Sequence, residues 1–253
     1  MDDAERAQIV GWLLQPNMDA VNFVVDELKL LSTVHRSLVA MSGMPQLLMV
    51  AKQYSQEKGL DPAALAAFDR LSAESPAGFA QEYVAGDFAL PNAHGLVGTW
   101  GVVESSIEET VVNLLRNVGP SRLGTVDPKL ATTPGVLDEV EARALYPRIE
   151  RRFRDGRSAA EAYTAIFSHY DIHVSCAPDI YTTLSEVNEI RNCLLHRGGV
   201  IDEKACRKAP QLRPLLGTRI AISSQTFGLY TDAIHTFIVA TTRGITQSPF
   251  LKP

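Results

Sequence analysis

The stretch from Pro178 to Asp202 reads PDIYTTLSEVNEIRNCLLHRGGVID and carries the pattern that decides the fold class. A proline in the first turn and two glycines after His196 mark the ends of a helix over Pro178–His196. Apolar side chains recur inside this segment about every 3.6 residues, the spacing of one buried helix face: Ile180, Leu184, Val187, Ile190 and Leu194. The stretch therefore predicts an amphipathic helix with one face in a core.

Helical patterns extend along most of the chain. Before residue 90 they predict helices over Asp2–Leu14, Met18–Met41, Pro45–Glu57 and Pro62–Ala73; later helices are expected over Trp100–Val118, Val136–Arg154 with a break or kink at Pro147, Ser158–Tyr170 and Ser224–Thr242. A passage rich in Pro and Gly, Ser75–Gly101, and a long loop, Gly119–Gly135, separate these helices. A weak alternation of polar and apolar residues over Arg219–Ile222 is compatible with one short strand pair. We expect an all-α fold.

Composition places limits on the class of protein. The 253 residues are 45% hydrophobic and 21% charged, a balance typical of a water-soluble globular protein. Cys176, Cys193 and Cys206 form no Cys-x-x-Cys pair, which argues against a disulfide scaffold and against a closed zinc site. No apolar run approaches the ~18–20 residues of a membrane helix, and the acidic N-terminus is unlike a signal peptide. We expect a cytoplasmic protein with no membrane association.

Charge is distributed unevenly and suggests two regions. Residues 1–90 contain 6 basic and 12 acidic residues, whereas residues 91–253 contain 18 and 17. We therefore divide the chain into an acidic N-terminal helical region, 1–90, and a second helical domain, 91–253. In the second domain five arginines fall within ten residues: Arg148, Arg151, Arg152, Arg154 and Arg157. They form either a solvated helix face or a strip that contacts phosphates.

Familiar catalytic motifs are absent from the sequence. There is no Gly-x-Ser-x-Gly elbow, no His-Glu-x-x-His and no phosphate loop of the Gly-Lys-Ser/Thr type. Gly95, Gly98 and Gly101 are regularly spaced, but no strand precedes them, so we interpret them as a flexible entry to a helix. Hydrolases and nucleotide-binding enzymes of the usual classes therefore lose support.

Three polar residues near the end of the Pro178–His196 helix could carry chemistry. Arg191 falls beside the apolar face, so it needs either a path to the surface or an acidic partner, for which Glu104 and Glu108 are candidates. Asn192 lies four residues before His196, where its amide could orient the imidazole. An arginine, an amide and a histidine could bind a phosphodiester and move a proton without a metal. From spacing alone, a helix end whose His and Arg cap carbonyls is the simpler interpretation.

The motif Arg191-Asn192-x3-His196, followed by Gly198-Gly199-Val200-Ile201-Asp202, resembles the HEPN superfamily over about residues 91–253. The Trp100–Val118 helix with its glutamates is similar to the opening helix of such domains. The resemblance implies an antiparallel helical bundle that usually dimerises and, in active members, cleaves RNA without a metal in toxin–antitoxin or antiviral defence systems.

The same resemblance implies roles for individual residues. His196 would be general acid or base at the 2′-hydroxyl or the leaving oxygen, Arg191 would stabilise the pentavalent phosphate, and Asn192 would position the imidazole. A 2′,3′-cyclic phosphate would be the product. The resemblance leaves residues 1–90 unexplained.

We therefore predict a HEPN-type endoribonuclease that acts as a homodimer on RNA, with no cofactor and no metal. Substrate contacts are assigned to Arg197, Arg148, Arg151 and Arg152, and an antitoxin or regulatory protein is a further candidate partner. One alternative is a catalytically silent HEPN-like module for dimerisation or partner binding, which the acidic N-terminal region favours. The other is a metal-dependent enzyme that uses His169, His173 and Cys176.

Overall fold

The computed structural model describes residues 3–59, 61–133 and 135–251, and these residues are mostly helical. The helices are α1 (Asp3–Ile9), a π-helical turn (Val10–Leu14), α2 (Gln15–Ser42), α3 (Met44–Glu57), α4 (Pro62–Ala73), α5 (Ala77–Ala85), α6 (Ala89–Asn117), α7 (Pro128–Ala131), α8 (Glu139–Phe153), α9 (Ala159–Ser168), α10 (Pro178–His196), α11 (Glu203–Lys208) and α12 (Ser224–Thr246), with 3-10 turns at Pro120–Leu123 and Pro210–Leu215. The described residues contain no strand, only a single antiparallel bridge between Val200 and Arg219. The all-α class is confirmed. In place of the short strand pair that the sequence allowed, the described residues contain only this bridge.

The chain forms two compact units. The larger unit contains the described residues of 1–26, 96–220 and 228–253, and the smaller unit contains those of 27–95 and 221–227. The division near residue 95 lies close to the sequence boundary at residue 90, but the described residues before Glu27 belong to the larger unit. Within the described ranges, no helix combines the length and the apolar character needed to cross a bilayer.

Local capping signals set the helix ends around α9 and α10. Ser158 and Glu161 form the expected capping box at the start of α9, where each side chain accepts from the backbone N–H of the other residue. Helix α10 has the predicted bounds. Gly198 and Gly199 take positive φ angles of 62° and 73°, and the Gly199 N–H donates to the Cys193 carbonyl at 2.9 Å. Glycine stops the helix here because other residues rarely adopt these angles.

Three segments are more helical than the sequence predicts. Helix α6 begins at Ala89, so the interpretation of Gly95, Gly98 and Gly101 as a flexible helix entry is wrong. Gly95 is needed for close packing, since a Cβ there would lie 2.2 Å from Leu31 Cδ1 within the smaller unit. Helix α8 runs through Pro147 without a break. The predicted Gly119–Gly135 loop includes a 3-10 turn and α7.

The N-terminal segment is also one helical run rather than two separate helices. A π-helical turn, Val10–Leu14, joins α1 to α2 and lies immediately before Pro16. Pro16 has no N–H to donate to the Trp12 carbonyl, which lies four residues earlier. The Asn113 side-chain amide donates to that carbonyl at 2.7 Å. A side chain from α6 therefore supplies this carbonyl with a donor that Pro16 lacks.

The core of the larger unit is built around α6, α9, α10 and α12. Its fully buried side chains include Trp100, Leu114, Tyr163, Phe167, Leu184 and Phe237. The Trp100 indole N–H donates to Asn188 Oδ1 at 3.3 Å, which pairs the polar atoms that α6 and α10 bury against each other. This contact fixes the relative position of the two helices that carry Glu104 and Arg191.

Helix α12 approaches the loop before α10 very closely at Gly244. A Cβ on Gly244 would lie 2.6 Å from the His173 carbonyl oxygen, whereas a Cβ on Gly228, in the same helix, would have no neighbour within 4 Å. Backbone atoms cannot move aside as a flexible side chain can. Glycine at position 244 is therefore required by packing.

We predict opposite effects of alanine at these two glycines. Gly244→Ala should lower the free energy of unfolding by about 1–3 kcal/mol, because the helix must shift away from His173. Gly228→Ala should raise the free energy of unfolding by about 0.5–1 kcal/mol, because alanine favours the helix. Urea denaturation of both variants measures the difference. Equal effects would show that α12 does not pack this closely on the loop.

Candidate active site

The Arg191 guanidinium is paired with a glutamate across the α6–α10 contact. Arg191 Nη2 lies 3.0 Å from Glu104 Oε2, which confirms Glu104 as one of the two partners expected from the sequence. Only 24% of the Arg191 side chain is exposed, and its Nε is buried with no hydrogen-bond acceptor. Two of its five N–H groups are engaged, one with Glu104 and one with Asn192.

A second arginine, Arg154 at the end of α8, joins the same charge cluster. Arg154 Nη2 lies 2.8 Å from Glu150 Oε1 and 3.5 Å from Glu104 Oε1, and it donates to the Tyr163 hydroxyl at 2.7 Å. Tyr163 in turn donates to Glu150 at 3.1 Å. The sequence placed Arg154 only in the arginine strip. Its spacing from Glu150 hints at an ion pair within α8, but no sequence signal identifies Tyr163.

These residues border a pocket of about 420 Å³ in the larger unit. Its lining residues come from α6, α8, α9 and α10: Gly101, Glu104, Ser105, Glu108, Tyr146, Glu150, Arg154, Tyr163 and Arg191. Burial raises the pKa of Glu104 above its ordinary value, while the charges of Arg191 and Arg154 act in the opposite direction. The pocket therefore combines guanidinium donors with a carboxyl group that binds a proton more readily than an exposed glutamate.

Asn192 and His196 do not form the pair that their spacing suggested. Asn192 Oδ1 accepts from Arg191 Nη1 at 3.1 Å. The His196 side chain is exposed and forms no hydrogen bond with a residue in the described ranges. It lies five residues after Arg191, about 140° around the helix, and is not among the residues that line the pocket. A single chain therefore does not bring Arg191 and His196 into one pocket.

Arg197 is held by the loop that follows α10. Its Nη1 lies 3.0 Å from Asp202 Oδ1, 3.5 Å from Glu189 Oε2 and 3.4 Å from Cys193 Sγ. Its side chain is 17% exposed, and Glu189 is 1% exposed. The predicted role of Arg197 in substrate binding stays a prediction, while its contacts show a role in neutralising a buried carboxylate.

The other predicted substrate contacts lie together on α8. Arg148 pairs with the Asp127 carboxylate, and Arg151 and Arg152 are exposed. Arg148, Arg151, Arg152 and Arg154 border, with Asp155, an open pocket of about 570 Å³. Arg157, the last member of the strip, lines a different pocket. The strip is therefore divided between two surfaces.

The residues considered for a metal site are not arranged as one. The His169 ring packs edge-on against Phe153, with the ring centroids 5.3 Å apart. In the part of the chain that the structure describes, no group of three or more His, Cys, Asp or Glu residues is placed to hold a metal ion. Burial raises the pKa of the Cys176 thiol, which opposes formation of a thiolate ligand. The metal-dependent alternative gains no support from these residues.

We predict that Arg197→Ala lowers the free energy of unfolding by about 2–4 kcal/mol. The variant leaves the buried Glu189 with Lys208 as its remaining cation, at 3.3 Å. Arg243→Ala, which removes an exposed arginine from α12, should change stability by less than about 0.5 kcal/mol. Chemical denaturation of both variants provides the comparison. A loss in Arg197→Ala as small as in the control would contradict a stabilising role for Arg197.

Glu104→Gln should become more stable relative to the wild type as the pH rises from 4.5, the ordinary value for this carboxyl, towards neutrality. Because burial raises the pKa of Glu104, the folded state holds the proton more tightly than the unfolded chain. The wild type therefore loses stability as the pH rises from the pKa of Glu104 in the unfolded chain to its higher pKa in the folded state. Glutamine resembles the protonated form and does not titrate.

Denaturation curves across this pH range measure the effect, with Glu108→Gln as control. Glu108 lines the same pocket but forms no ion pair with a described residue. If the wild type instead became more stable relative to Glu104→Gln as the pH rises, the charges of Arg154 and Arg191 would lower the pKa of Glu104 by more than burial raises it.

Comparisons with known proteins identify no family or relative for this chain. Family models, curated protein sequences and solved structures were searched, and none matches. The HEPN resemblance therefore rests on residues of this sequence.

Proposed function

We propose that the protein is a metal-independent endoribonuclease of the HEPN type that acts as a homodimer. The observation that carries the proposal is the position of Arg191, which lines an open pocket and whose buried Nε has no acceptor. An exposed histidine with no partner lies at the end of the same helix. A phosphate in this pocket would be a suitable ligand for Arg191, because guanidinium and phosphate form paired hydrogen bonds.

The proposed reaction is an attack of an RNA 2′-hydroxyl on the adjacent phosphorus. His196 takes the hydroxyl proton, the new O–P bond forms, the bond to the 5′-oxygen breaks, and that oxygen receives the proton from the His196 imidazolium directly or through a water molecule. The Arg191 guanidinium stabilises the negative charge on the non-bridging oxygens. The products are a 2′,3′-cyclic phosphate and a 5′-hydroxyl. Arg148, Arg151 and Arg152 would contact phosphates further along the strand.

A homodimer supplies what one chain lacks. Because His196 lies outside the Arg191 pocket of its own chain, we propose that the two residues meet across a twofold interface. Each site then consists of Arg191 from one protomer and His196 from its partner. Such a site forms only in the dimer.

We predict metal-independent cleavage that requires both residues. In EDTA, wild-type protein should cleave single-stranded RNA to cyclic-phosphate ends, and His196→Ala or Arg191→Ala should be slower by about 100-fold or more, because each removes a group that acts in the transition state. His235→Ala, at an exposed histidine of α12, serves as the matched control and should retain full activity. Labelled RNA with end-group analysis measures the rates.

Mixed dimers test the composite site directly. When the His196→Ala and Arg191→Ala chains are refolded together, half of the dimers contain both, and each of these has one intact site. Activity should return to about a quarter of the wild-type value. If the mixture stayed inactive, Arg191 and His196 would not act across an interface.

The second candidate function is a silent HEPN-like binding module, favoured by the ion pair between Arg191 and Glu104 at 3.0 Å. In this alternative the arginine neutralises a buried glutamate and never meets a phosphate. Folded, dimeric wild-type protein that cleaves no RNA would contradict the ribonuclease proposal and support the module.

A further inference from the structure

A second pocket of the larger unit is separate from the proposed active site. It has a volume of about 830 Å³ and lies between the α8–α9 connection, the first half of α10 and the end of α11. Arg154 is the one residue that lines both this pocket and the pocket at Arg191. His196 does not line it. We call it the α8–α11 pocket. Its volume falls within the range of small-molecule sites, about 300–1,000 Å³.

Two arginines that line the α8–α11 pocket have no carboxylate partner among the described residues. Arg157 follows α8, and the one hydrogen bond of its side chain to a described residue is to the Phe153 carbonyl at 3.3 Å. Arg207 lies in α11 and is exposed. Two cations that face one concave surface repel each other unless an anion binds between them. Their position therefore favours a ligand with more than one negative charge.

The floor of the pocket holds a third cation in place. Lys208 Nζ lies 3.3 Å from Oε1 of Glu189, whose carboxylate is buried between Lys208 and Arg197. Glu189 is further fixed by Asn188, which donates to Oε1 at 3.1 Å. Because its partner is buried and held, Lys208 stays at the pocket. A positive charge anchored in this way needs little reordering when an anion binds.

The start of α10 adds a weaker attraction for anions. Its N-cap residue, Ala177, has no side-chain hydrogen bond, and Pro178, Tyr181 and Thr182 from the first turns line the pocket. Asp179, the acidic residue of that turn, does not line it, and the carboxylate of Glu161, which does line it, accepts hydrogen bonds from the Ser158 N–H and hydroxyl. The positive end of the helix dipole is thus directed to the same space as the unpaired arginines. Tyr181 provides an aromatic surface beside these charges.

We propose that the α8–α11 pocket binds a terminal phosphate carried by a nucleotide, with Arg157 and Arg207 as the phosphate ligands. A terminal phosphate carries about −1.5 to −2 charges, which matches two unpaired guanidiniums better than the single charge of a backbone diester. The remaining volume and the Tyr181 ring accommodate the nucleoside. The same chemistry is offered by a free nucleotide and by the 5′-phosphate end of a strand. This binding needs no RNA cleavage and stands apart from the proposed function.

Adenosine 5′-monophosphate is the probe for this pocket. By titration calorimetry it should bind at least about tenfold more tightly than adenosine, and Arg157→Ala and Arg207→Ala should each weaken its binding by about tenfold or more, since each loses a charge-assisted contact. Arg243→Ala, at an exposed arginine outside the pocket, should bind the nucleotide as the wild type does. Circular dichroism confirms that the variants are folded.

Short DNA strands with and without a 5′-phosphate distinguish the two sources. DNA lacks the 2′-hydroxyl and stays intact even if the protein is a ribonuclease. A phosphorylated strand that binds more tightly than the nucleotide, with loss in both variants, would identify a strand end, whereas tighter binding of the nucleotide would identify a free ligand. The proposal is overturned if adenosine or the 5′-hydroxyl strand binds as well as its phosphorylated form, if both variants keep full affinity, or if no phosphorylated probe binds at millimolar concentration.

Discussion

The half-buried charge cluster between α6, α8, α9 and α10 is the constraint on which the larger unit depends. Glu104, Glu150, Arg154 and Arg191 are half-buried, and each has an opposite charge within about 3.5 Å that offsets part of the cost of its burial. A charge removed from water without such a partner would cost several kcal/mol. The four helices must therefore keep their relative positions, and the pocket at Arg191 is a product of the same requirement.

This cluster explains why part of the candidate site could be predicted and part could not. Glu104 was accessible to sequence reasoning because an arginine beside an apolar helix face requires an acidic partner, and few glutamates lie on a neighbouring helix. Capping residues such as Ser158 and stop residues such as Gly198 act within one turn, so their effects are local and readable. Tyr163 joins the cluster from another helix, and only tertiary packing brings it there.

Errors in the predicted helix bounds have the same origin. Helix α6 contains several glycines and α8 contains Pro147, and both residue types are poor helix formers. Both segments are nevertheless helical because neighbouring residues are buried in a core. Gly95 and Gly244 allow close packing because they have no side chain, whereas a helix-propensity scale counts glycine only as unfavourable. The arginine strip illustrates the complementary problem. Its five members share a charge but have four different environments, namely an ion pair with Asp127, a half-buried cluster and two open surfaces.

The π-helical turn at Val10–Leu14 has a consequence for how the N-terminus tolerates change in length. A turn with hydrogen bonds between residues i and i+5 holds one residue more than an α-helical turn, so it is equivalent to a one-residue insertion absorbed in place. Removal of one residue within this turn would return the run to a regular helix and leave α1 in about the same orientation relative to α2, whereas removal of a residue elsewhere in the run would rotate α1 by about 100°. The 3.6-residue pattern of positions on one helical face therefore shifts by one residue at this turn. A face counted along α1 is out of step by one residue in α2.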